Sequence, residues 1–554
     1  MSSYGQLTLT DNKRTWLIQG LVPHVAIRLK QLFPRVSKTQ VDLFTFPNDL
    51  DHCSDLSWFT SRYPLEISDS DARALRKGQK GYVARKAELE TILLPDYAPS
   101  PFAGLKPACQ TRHYQMQAAD LAHATRTLLL ADDIGLGKTA ATVMWLLNPA
   151  CRPGLVIVET HLQDQWKSKI EEFSDLTAHI IRTGSPYDLP ESDVYVITYG
   201  KLAGWVDLFR ERFFKSACWD EIQGLRKGTE SIKGESSFVL AQHVDFRLGL
   251  SATPVHNYGI EIFNIFEILQ SDVLGNRVEF IREWCTDGKH VADSAALGAY
   301  LREQKVFLRR LRSDVGRELP KVNTMVEDIA HDQKALRSIE ELAKKLAMRY
   351  EMGSFEERGQ AGRELDMLVR QATGISKARV IAQYARMFLE DNTPIVLAGW
   401  HRAVYDIWLS ELADFNPAMY TGSESPAQKK EAKRRFLAGE TNVLILSLHS
   451  GAGLDGLQDR CSVVLHGELD WSPKVHDQLT GRLDRDGQKN PVLSVYLVSQ
   501  DGSDPPIIEL LGVKAAQAAG ITDPGRVFEA NVPDTGRMRL LVDRYLPKQT
   551  QEAA

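Results

Sequence analysis

Short apolar runs alternate with segments of helical spacing from about residue 110 to residue 500. The first series of runs is TLLLA, GLVIVET, DVYVITYG and FRLGLSAT, and the second is PIVLAGW, NVLILSLHS, CSVVLHGEL and PVLSVYLVS. Continuous apolar runs separated by helices are typical of strands buried in a parallel sheet. A charged, helix-rich stretch at about 332–371 separates the two series. The pattern predicts an α/β protein with two parallel-sheet lobes and helical insertions.

The first hundred residues have a different pattern and predict a small α+β accessory domain. HVAIRLKQLFPRV predicts a helix with Arg28, Lys30 and Arg35 on its solvent side, and VDLFTFP predicts a strand. DLSWFTSRYPLEI adds Trp58 and Phe59, which suit either a nucleic-acid surface or the core of a packing domain. The predicted domains are 1–100 (accessory, a candidate for recognising DNA structure), 101–325 (first lobe), 326–375 (helical connector), 376–520 (second lobe) and 521–554 (tail or brace).

Composition argues against a secreted, a membrane-spanning and a disulfide-rich or zinc-ribbon protein, and says little beyond that. The 554 residues are 43% hydrophobic and 25% charged, which is ordinary for a globular chain. The start lacks a signal-peptide core, no run is long enough for a membrane helix, and the six cysteines form no C-x-x-C pair. We therefore expect a cytoplasmic protein of a bacterium or of a phage-infected host, or a nuclear one if the source is eukaryotic. The net charge of −5 does not exclude a basic track for nucleic acid.

The stretch TLLLADDIGLGKTAATVMWLL predicts a strand, a phosphate loop and a helix. Gly135 and Gly137 would let backbone amides approach an anion, Lys138 would reach the outer phosphates, and Thr139 would ligate magnesium. The strict phosphate-loop pattern, however, has a glycine at the position of Asp132. On these residues alone, a simple glycine-bearing turn remains the alternative.

Two further segments carry candidate chemistry in the first lobe. In ACWDEIQ, Asp220 would hold magnesium and Glu221 would polarise an attacking water, although a surface acid pair is the plain alternative. In LGLSATPVHN, Ser251 and Thr253 end an apolar run, where hydroxyls could link a nucleotide site to a nucleic-acid track.

The second lobe offers two candidate segments of its own. HDQLTGRLDRDGQ places Arg482 and Arg485 three residues apart, which predicts one helical face and two arginines that could reach a γ-phosphate. A solvated basic helix is the alternative. SLHSGAGLDGLQ, which begins at Ser447, is a hydroxyl- and glycine-rich turn suited to a nucleic-acid phosphate or ribose.

The ordered set of motifs resembles the SWI/SNF family of DNA-translocating ATPases in helicase superfamily two. The segments that carry the resemblance are TRHYQ, ADDIGLGKT, DQW, VITYGKL, DEIQ, LGLSATPVHN, LRRLRSDVGRELP, HSGAGLDGL and QLTGRLDRDGQ. The resemblance implies two RecA-like lobes. TGISKARVIAQY and GELDWSP resemble the annealing-helicase or HARP-type branch. The family's loop typically reads ADEMGLGKT, so an acid at position 132 is its normal form.

By resemblance, the cofactors are ATP and Mg²⁺ and the partner is duplex or branched DNA, bound without sequence specificity. The implied catalytic residues are Lys138, Asp220, Glu221, Arg482 and Arg485. The implied nucleotide contacts are Gln115, Asp133, Ile134, Gly135, Leu136, Gly137, Lys138, Thr139, Ala140, Gly453 and Asp455. The implied magnesium ligands are Thr139 and Asp220. The implied DNA contacts are Thr160, Gln165, Trp166, Thr198, Lys201, Ser447 and Gly451.

The implied function is ATP-dependent translocation along duplex DNA, which remodels DNA structures or protein–DNA complexes. A strand-separating helicase or an RNA-directed ATPase is an alternative, and a nucleotide-switched scaffold is an alternative of another class. The sequence departs from the family at Gln223, which replaces a histidine, at Trp400, where histidine is frequent, and at Ser472, where asparagine is common.

Overall fold

The structure is a computed structural model. It describes residues 3–107, 109, 111–255, 259–288, 290–316, 322–448, 454–485, 487–509, 541–542 and 544–546, apart from the side chains of residues 355, 473 and 474. Its strands are β1 Gln6–Leu9, β2 Thr15–Gln19, β3 Leu43–Pro47, β4 Thr127–Leu130, β5 Gly154–Val158, β6 Ala178–Ile180, β7 Val194–Thr198, β8 Ser216–Asp220, β9 Phe246–Leu250, β10 Phe307–Leu308, β11 Val322–Ile329, β12 Ile395–Gly399, β13 Ala418–Tyr420, β14 Val443–Ser447, β15 Val463–His466 and β16 Val492–Ser499. Its helices are α1 Pro23–Leu32, α2 Leu50–Arg62, α3 Asp69–Ile92, α4 His113–Thr125, α5 Lys138–Leu147, α6 Gln163–Phe173, α7 Val206–Arg210, α8 Ile232–Gln242, α9 Ile260–Gln270, α10 Arg277–Trp284, α11 Ser294–Glu303, α12 Gln333–Met352, α13 Phe355–Glu390, α14 Arg402–Glu411, α15 Pro426–Leu437 and α16 Pro473–Leu483.

Two parallel sheets confirm the predicted α/β class. The seven-stranded sheet has the order β10-β4-β9-β8-β5-β7-β6, and the six-stranded sheet has the order β11-β16-β15-β12-β14-β13. Every residue of β4, β5 and β7 is buried, and the same holds for β12 and β14. Helices cover both faces of such a sheet, so its strands read as continuous apolar runs. This is why the apolar runs in the sequence predict the strands so directly.

The chain divides into two compact units. One contains residues 1–131 and 138–308, and the other contains residues 132–137 and 309–554. The first unit holds the seven-stranded sheet and the N-terminal elements. The second unit holds the six-stranded sheet, the α12–α13 helix pair and the short loop 132–137. Because β11 pairs with β16 along its whole length, the second sheet begins at Val322, and α13 runs on to Glu390. The domain boundaries given above stay a prediction.

The N-terminal elements form an antiparallel three-stranded sheet packed against α1, α2 and α3. Trp16, Ile18, Phe44 and Phe59 lie fully buried in this core, whereas Trp58 is 54% exposed. The packing interpretation therefore holds for Phe59 and fails for Trp58.

Arg35 does not lie on a solvent face, which corrects the prediction from the helix pattern. Its Nε donates to Glu283 at 2.8 Å, and its Nη2 donates to the carbonyl of Val273 at 2.8 Å. Lys86 pairs with Glu303 at 2.9 Å on the same side. These contacts hold the N-terminal elements against α10 and α11 within the first unit. The helical pattern places Arg35 outside the core of its own domain, but it says nothing about a neighbouring domain.

Within the described ranges, no helix is both long enough and apolar enough to span a bilayer.

Candidate nucleotide site

The phosphate loop lies where the sequence predicts it, between the end of β4 and the start of α5. Gly135 has φ +84° and Gly137 has φ +76°, a left-handed region that side-chain-bearing residues adopt only with strain. Leu136 between them is buried, which fixes the loop from the inside. Lys138 and Thr139 form the first turn of α5, where backbone N–H groups and the helix dipole favour an anion. The local geometry suits a phosphate group.

The loop that contains Asp132 and Asp133 is held by two arginines, Arg310 and Arg312. Asp132 is only 2% exposed, and its Oδ1 accepts from the backbone N of Arg310 at 3.1 Å and from the Nε of Arg310 at 3.0 Å. Asp133 accepts from the amide of Ile134 at 2.9 Å, and the carbonyl of Ile134 accepts from Arg312 Nη2 at 2.8 Å. The carboxylate of Asp132 is thus neutralised by a buried guanidinium. This explains how the loop tolerates an acid where a glycine is usual.

The acid pair ends the central strand of the seven-stranded sheet. Asp220 is the last residue of β8, in register with Leu250 of β9. Its Oδ2 accepts from the indole nitrogen of Trp166 at 2.8 Å, and its carbonyl oxygen accepts from the hydroxyl of Tyr199 at 2.7 Å. The side chain of Trp166 is itself buried. Helix α6, which carries Trp166, and the turn that follows β7, which carries Tyr199, therefore position Asp220 before any ligand arrives.

The protein supplies too little positive charge around Asp220 and Glu221 to keep both carboxylates ionised easily. Asp220 keeps some exposed surface, yet burial by the surrounding protein, together with the negative charge of Glu221, raises the pKa of its carboxyl to about 7. The indole of Trp166 and the charge of Lys138 oppose that shift. The field of the loop lysine thus reaches the acid pair. A raised pKa means that the ionised form of Asp220 lacks a sufficient counter-charge.

Glu221 is held in place by Gln223, the residue at which the sequence departs from the family that it resembles. Its backbone is left-handed, with φ +52°, and such strain in a residue other than glycine is frequent at functional sites. The amide nitrogen of Gln223 donates to the carboxylate of Glu221. The buried Oε1 of Gln223 has no hydrogen-bond partner among the residues that the structure describes. Gln223 therefore orients Glu221 and leaves an acceptor suited to a water molecule.

The residues present fit a magnesium ion that is bound together with a nucleotide. In the described part of the chain, no three His, Cys, Asp or Glu residues cluster closely enough to hold a metal by themselves. Magnesium is usually held by one or two carboxylates, waters and the phosphates of a substrate. The carboxylate of Asp220 and the hydroxyl of Thr139 are oxygen donors of the required kind. The raised pKa of Asp220 shows that a bound cation would stabilise its ionised form.

The two arginines of the second unit converge on one carboxylate. Arg485 donates to Asp455, and Nη1 of Arg482 lies 3.8 Å from the same oxygen. The expectation of a shared helical face is wrong, because α16 ends at Leu483 and Arg485 follows it. Its Nε instead donates to the carbonyl of Gly481 at 3.1 Å. Both guanidinium groups therefore reach Asp455, one from the last turn of α16 and the other from the residues just after it.

The predicted DNA contacts occupy different environments. Thr160 is exposed just beyond β5, whereas Thr198, the last residue of β7, is buried and in register with the last residue of β5. The Nζ of Lys201 donates to the carbonyl of Ile181 at 3.4 Å. Gln165 is half-buried, and Ser447 is buried at the end of β14. Trp166 points to the acid pair, as described above.

Four further predicted residues lie apart from the acid pair or outside the described residues. The side chain of Gln115 is buried and accepts from the backbone of Arg112 at 3.0 Å, which caps α4. Gly451 and Gly453 lie outside the described residues. Ala140 is buried in the first turn of α5.

Sequence reasoning missed the roles of Arg310, Arg312 and Tyr199. Arg310 neutralises Asp132, and Arg312 binds both the carbonyl of Ile134 and Asp484 in the same compact unit. The signal was present, since both arginines lie in LRRLRSDVGRELP, but nothing in that segment indicates its partner 178 residues away. Tyr199 lies in VITYGKL, where it reads as an ordinary core aromatic.

A model of the SNF2-related domain matches residues 55–372, more than half of the chain. The matched range contains the loop, the acid pair and the arginines that brace the loop. It also begins within α2, so it includes part of the N-terminal elements.

Several curated proteins are similar to the chain. An uncharacterized ATP-dependent helicase of Mycoplasma pneumoniae is 22% identical over 67% of this chain and 38% of its own length. A Caenorhabditis elegans homolog of SWI/SNF-related matrix-associated actin-dependent regulator of chromatin subfamily A-like protein 1 is 24% identical over 79% of this chain and 67% of its own length. The Zorya protein ZorD of Escherichia coli is 24% identical over 68% of this chain and 40% of its own. The chain thus spans less than half of the first and third of these relatives.

Among solved structures, the Sulfolobus solfataricus SWI2/SNF2 ATPase core in complex with dsDNA is 19% identical to the chain. The match covers 78% of this chain and 96% of that one, with a TM-score of 0.38. The fold assignment rests on the strand order of the two sheets and not on this match.

Proposed function

Because the chain belongs to the SNF2-related family of helicase-like ATPases, we propose that it is an ATP-driven translocase on double-stranded DNA. It would use ATP and Mg²⁺ to remodel DNA structures or protein–DNA complexes. The observation that carries the proposal is the position of Asp220 and Glu221 at the end of the central strand β8, where burial raises the pKa of Asp220 and the charge of Lys138 opposes that shift. Such a pair within the field of the loop lysine supports hydrolysis and not merely nucleotide binding.

Each residue of the loop has a role in this proposal. The backbone amides around Gly135 and Gly137 bind the phosphate oxygens, and Lys138 neutralises the outer ones. Thr139 and Asp220 hold Mg²⁺, which supplies Lewis-acid stabilisation of charge on the phosphates.

Water attack is assigned to the second acid. Glu221 orients the water and accepts its proton while Gln223 fixes the carboxylate. Arg482 and Arg485 stabilise the charge that develops on the transferred phosphoryl group. For this, each arginine must exchange Asp455 for phosphate oxygens, because both face that carboxylate in the structure.

The track for DNA is assigned to hydroxyl and basic groups at strand ends. Thr160 and Thr198 lie at the ends of adjacent strands of the first sheet, and Ser447 ends a strand of the second. Such groups contact backbone phosphates and carry no base-reading information. Binding is therefore proposed to be independent of sequence and sensitive to salt.

The proposal is tested by the ATPase rate of the full chain with no polymer, with duplex DNA, with single-stranded DNA and with RNA. We expect duplex DNA to stimulate the rate most, and the Glu221→Gln variant to show no stimulated turnover. Displacement of a third strand from a duplex then reports translocation. Stimulation by RNA alone, or turnover that no polymer changes, would contradict the proposal.

A further inference from the structure

The N-terminal helix α3 carries an unusual distribution of charge. Its six basic residues lie between Arg73 and Lys86, and its acids lie nearer its ends. Four of the cations are exposed, recur at positions i, i+3, i+4 and i+7, and so share one helical face. These four residues, here named the basic stripe, are Arg73, Arg76, Lys77 and Lys80.

The opposite face of α3 is fixed by close packing on α2. A Cβ added at Gly78 would lie 2.5 Å from the Sγ of Cys53, and one added at Gly81 would lie 3.0 Å from Leu50. Leu75 and Leu89 are buried on this inner side. Two glycines therefore seat the helix so closely that its rotation is determined. The basic stripe is turned away from the core as a consequence.

The remaining two cations of α3 are used for structure. Lys86 pairs with Glu303 of α11. Arg85 faces the acids of α2: burial raises the pKa of Asp51, and the charge of Arg85 opposes that shift. The helix thus divides its positive charges into a structural pair and the basic stripe.

The basic stripe has no carboxylate partner in the part of the chain that the structure describes. Among the described residues, none of its four members makes an ion pair, and Arg73 and Arg76 donate only to backbone carbonyls of their own helix, at 3.1 and 3.2 Å. Helix α15 provides a contrast, since its Arg434 lies between Glu431 and Glu440 at 2.7 and 2.6 Å. Exposed like charges one turn apart destabilise a helix slightly, so the stripe is a cost unless a polyanion neutralises it.

We propose that the basic stripe is a second DNA-binding surface, which contacts backbone phosphates of a duplex outside the motor track. This inference rests on the proposed function, since that function makes DNA the polyanion at hand. The stripe extends about 10 Å along the helix axis, and a duplex carries roughly one negative charge per 1.7 Å of its axis. Four cations on this length match several phosphates without any need for base contacts.

The N-terminal elements are anchored to the first unit, and this anchoring links the basic stripe to the motor. Arg35 and Lys86 hold these elements against α10 and α11, in the same compact unit as the loop lysine and the acid pair. DNA bound to the stripe is therefore tethered to the body of the motor, and its local concentration at the motor rises. Arg28 and Lys30, the residues predicted from sequence for this task, donate to Gln31 and to the carbonyl of Lys38, and their part in DNA binding stays a prediction.

The test compares three full-length proteins: the wild type, a stripe variant and a matched control. The stripe variant carries Arg73→Gln, Arg76→Gln, Lys77→Gln and Lys80→Gln. The control carries Lys169→Gln, Arg210→Gln, Lys344→Gln and Arg434→Gln, which remove the same charge from surface cations that already have acidic partners. The measurement is the affinity for a duplex of random sequence at several salt concentrations.

We expect the stripe variant to bind duplex DNA about 10-fold more weakly at low salt. The slope of log affinity against log salt should fall by about 2 to 4, since each lost phosphate contact removes roughly 0.9. At saturating duplex, its stimulated ATPase should match that of the wild type, and the control should match in both measurements. If the stripe variant is poorly folded by melting temperature, Arg76→Gln with Lys80→Gln should still lower the slope by about 1 to 2.

The outcomes separate this inference from the proposed function. A wild type whose ATPase ignores duplex DNA overturns the proposed function. A wild type that responds to duplex, with stripe and control variants that have the same salt slope, overturns the inference alone. A stripe variant that loses binding to RNA while its binding to duplex is unchanged also overturns it.

Discussion

The carboxyl ends of the two parallel sheets differ in the sign and the state of their functional charges. The first sheet ends in Asp220 and Glu221, where burial raises the pKa of Asp220 to about 7 and leaves the pair short of positive charge. Near the second sheet, the guanidinium groups of Arg482 and Arg485 already have a carboxylate partner, Asp455. Under the proposed function, the first site would receive a cation, whereas the arginines of the second would have to leave Asp455 before they act.

The largest effect on hydrolysis is expected from removal of the loop lysine, which lies on the side of the first sheet. We expect Lys138→Ala to reduce the rate of ATP hydrolysis by more than about 1,000-fold, because no other group of the loop can neutralise the outer phosphates. The melting temperature should change little, since Lys138 is not a core residue. Lys169→Ala, on the surface of α6, is the matched control. Near-normal turnover in the Lys138 variant would show that the loop does not hold phosphate.

The next effect concerns the arginines of the second unit. Arg485→Ala should lower the rate of hydrolysis about 1,000-fold while ATP affinity falls much less, because its charge is needed most in the transition state. ATP affinity is measured by titration and the rate in single turnover. Arg434→Ala removes an arginine with equally close acidic partners and should change neither. An equal loss of affinity and rate would show a merely structural role for Arg485.

The second acid of the pair provides the third test. Glu221→Gln keeps the shape of the side chain but cannot accept a proton, so turnover should fall about 100-fold or more. ATP binding should persist, and the variant should stay on duplex DNA in the presence of ATP. Glu230→Gln, on the surface of the same unit, is the control. A variant of Glu221 with normal turnover would assign water activation to another group.

A smaller effect tests how Glu221 is held. Gln223→Ala removes the amide that donates to Glu221 and should lower the turnover rate on the order of 10-fold, as expected for loss of one positioning hydrogen bond. The ATP concentration for half-maximal rate should stay nearly constant. Gln223→His restores a ring N–H donor and should recover most of the rate. Failure of histidine to restore any activity would mean that Gln223 acts in another way.

The smallest effect is a change in stability that depends on pH. Asp220 has a folded-state pKa of about 7 against roughly 3.9 in an unfolded chain. The folded state therefore binds more protons than the unfolded state between these values, and stability falls as pH rises from about 4 to 7. Without magnesium, Asp220→Asn should raise the melting temperature at pH 8 by about 2–4 °C, and the gain should vanish toward pH 4.

Melting temperatures measured with magnesium add a second test of the role of Asp220. Magnesium and a nucleotide analogue should stabilise the wild type at pH 8 and stabilise Asp220→Asn much less, because the variant lacks the negative ligand. A variant that is less stable than the wild type at pH 8 would contradict the raised pKa.

Much of the fold followed directly from local patterns. Runs such as LVIV and VLIL predict buried parallel strands because each residue of such a strand packs against a helix. The loop GLGKT and the pair Asp220–Glu221 could be singled out as candidates because their chemistry is concentrated in a few consecutive residues, and their roles stay a prediction. The sequence likewise predicted the family, which the match over 55–372 confirms.

Charge pairing, in contrast, was decided by the tertiary structure. The sequence cannot show that Asp132 is neutralised by Arg310, that Arg35 faces Glu283, or that the helix carrying Arg482 ends before Arg485. A local pattern records on which side of its own element a residue lies, but an ion pair joins elements that are far apart in the chain. The four cations of α3 show the same limit. Helical spacing groups them on one face, and only the folded chain shows that no acid of the described residues pairs with them.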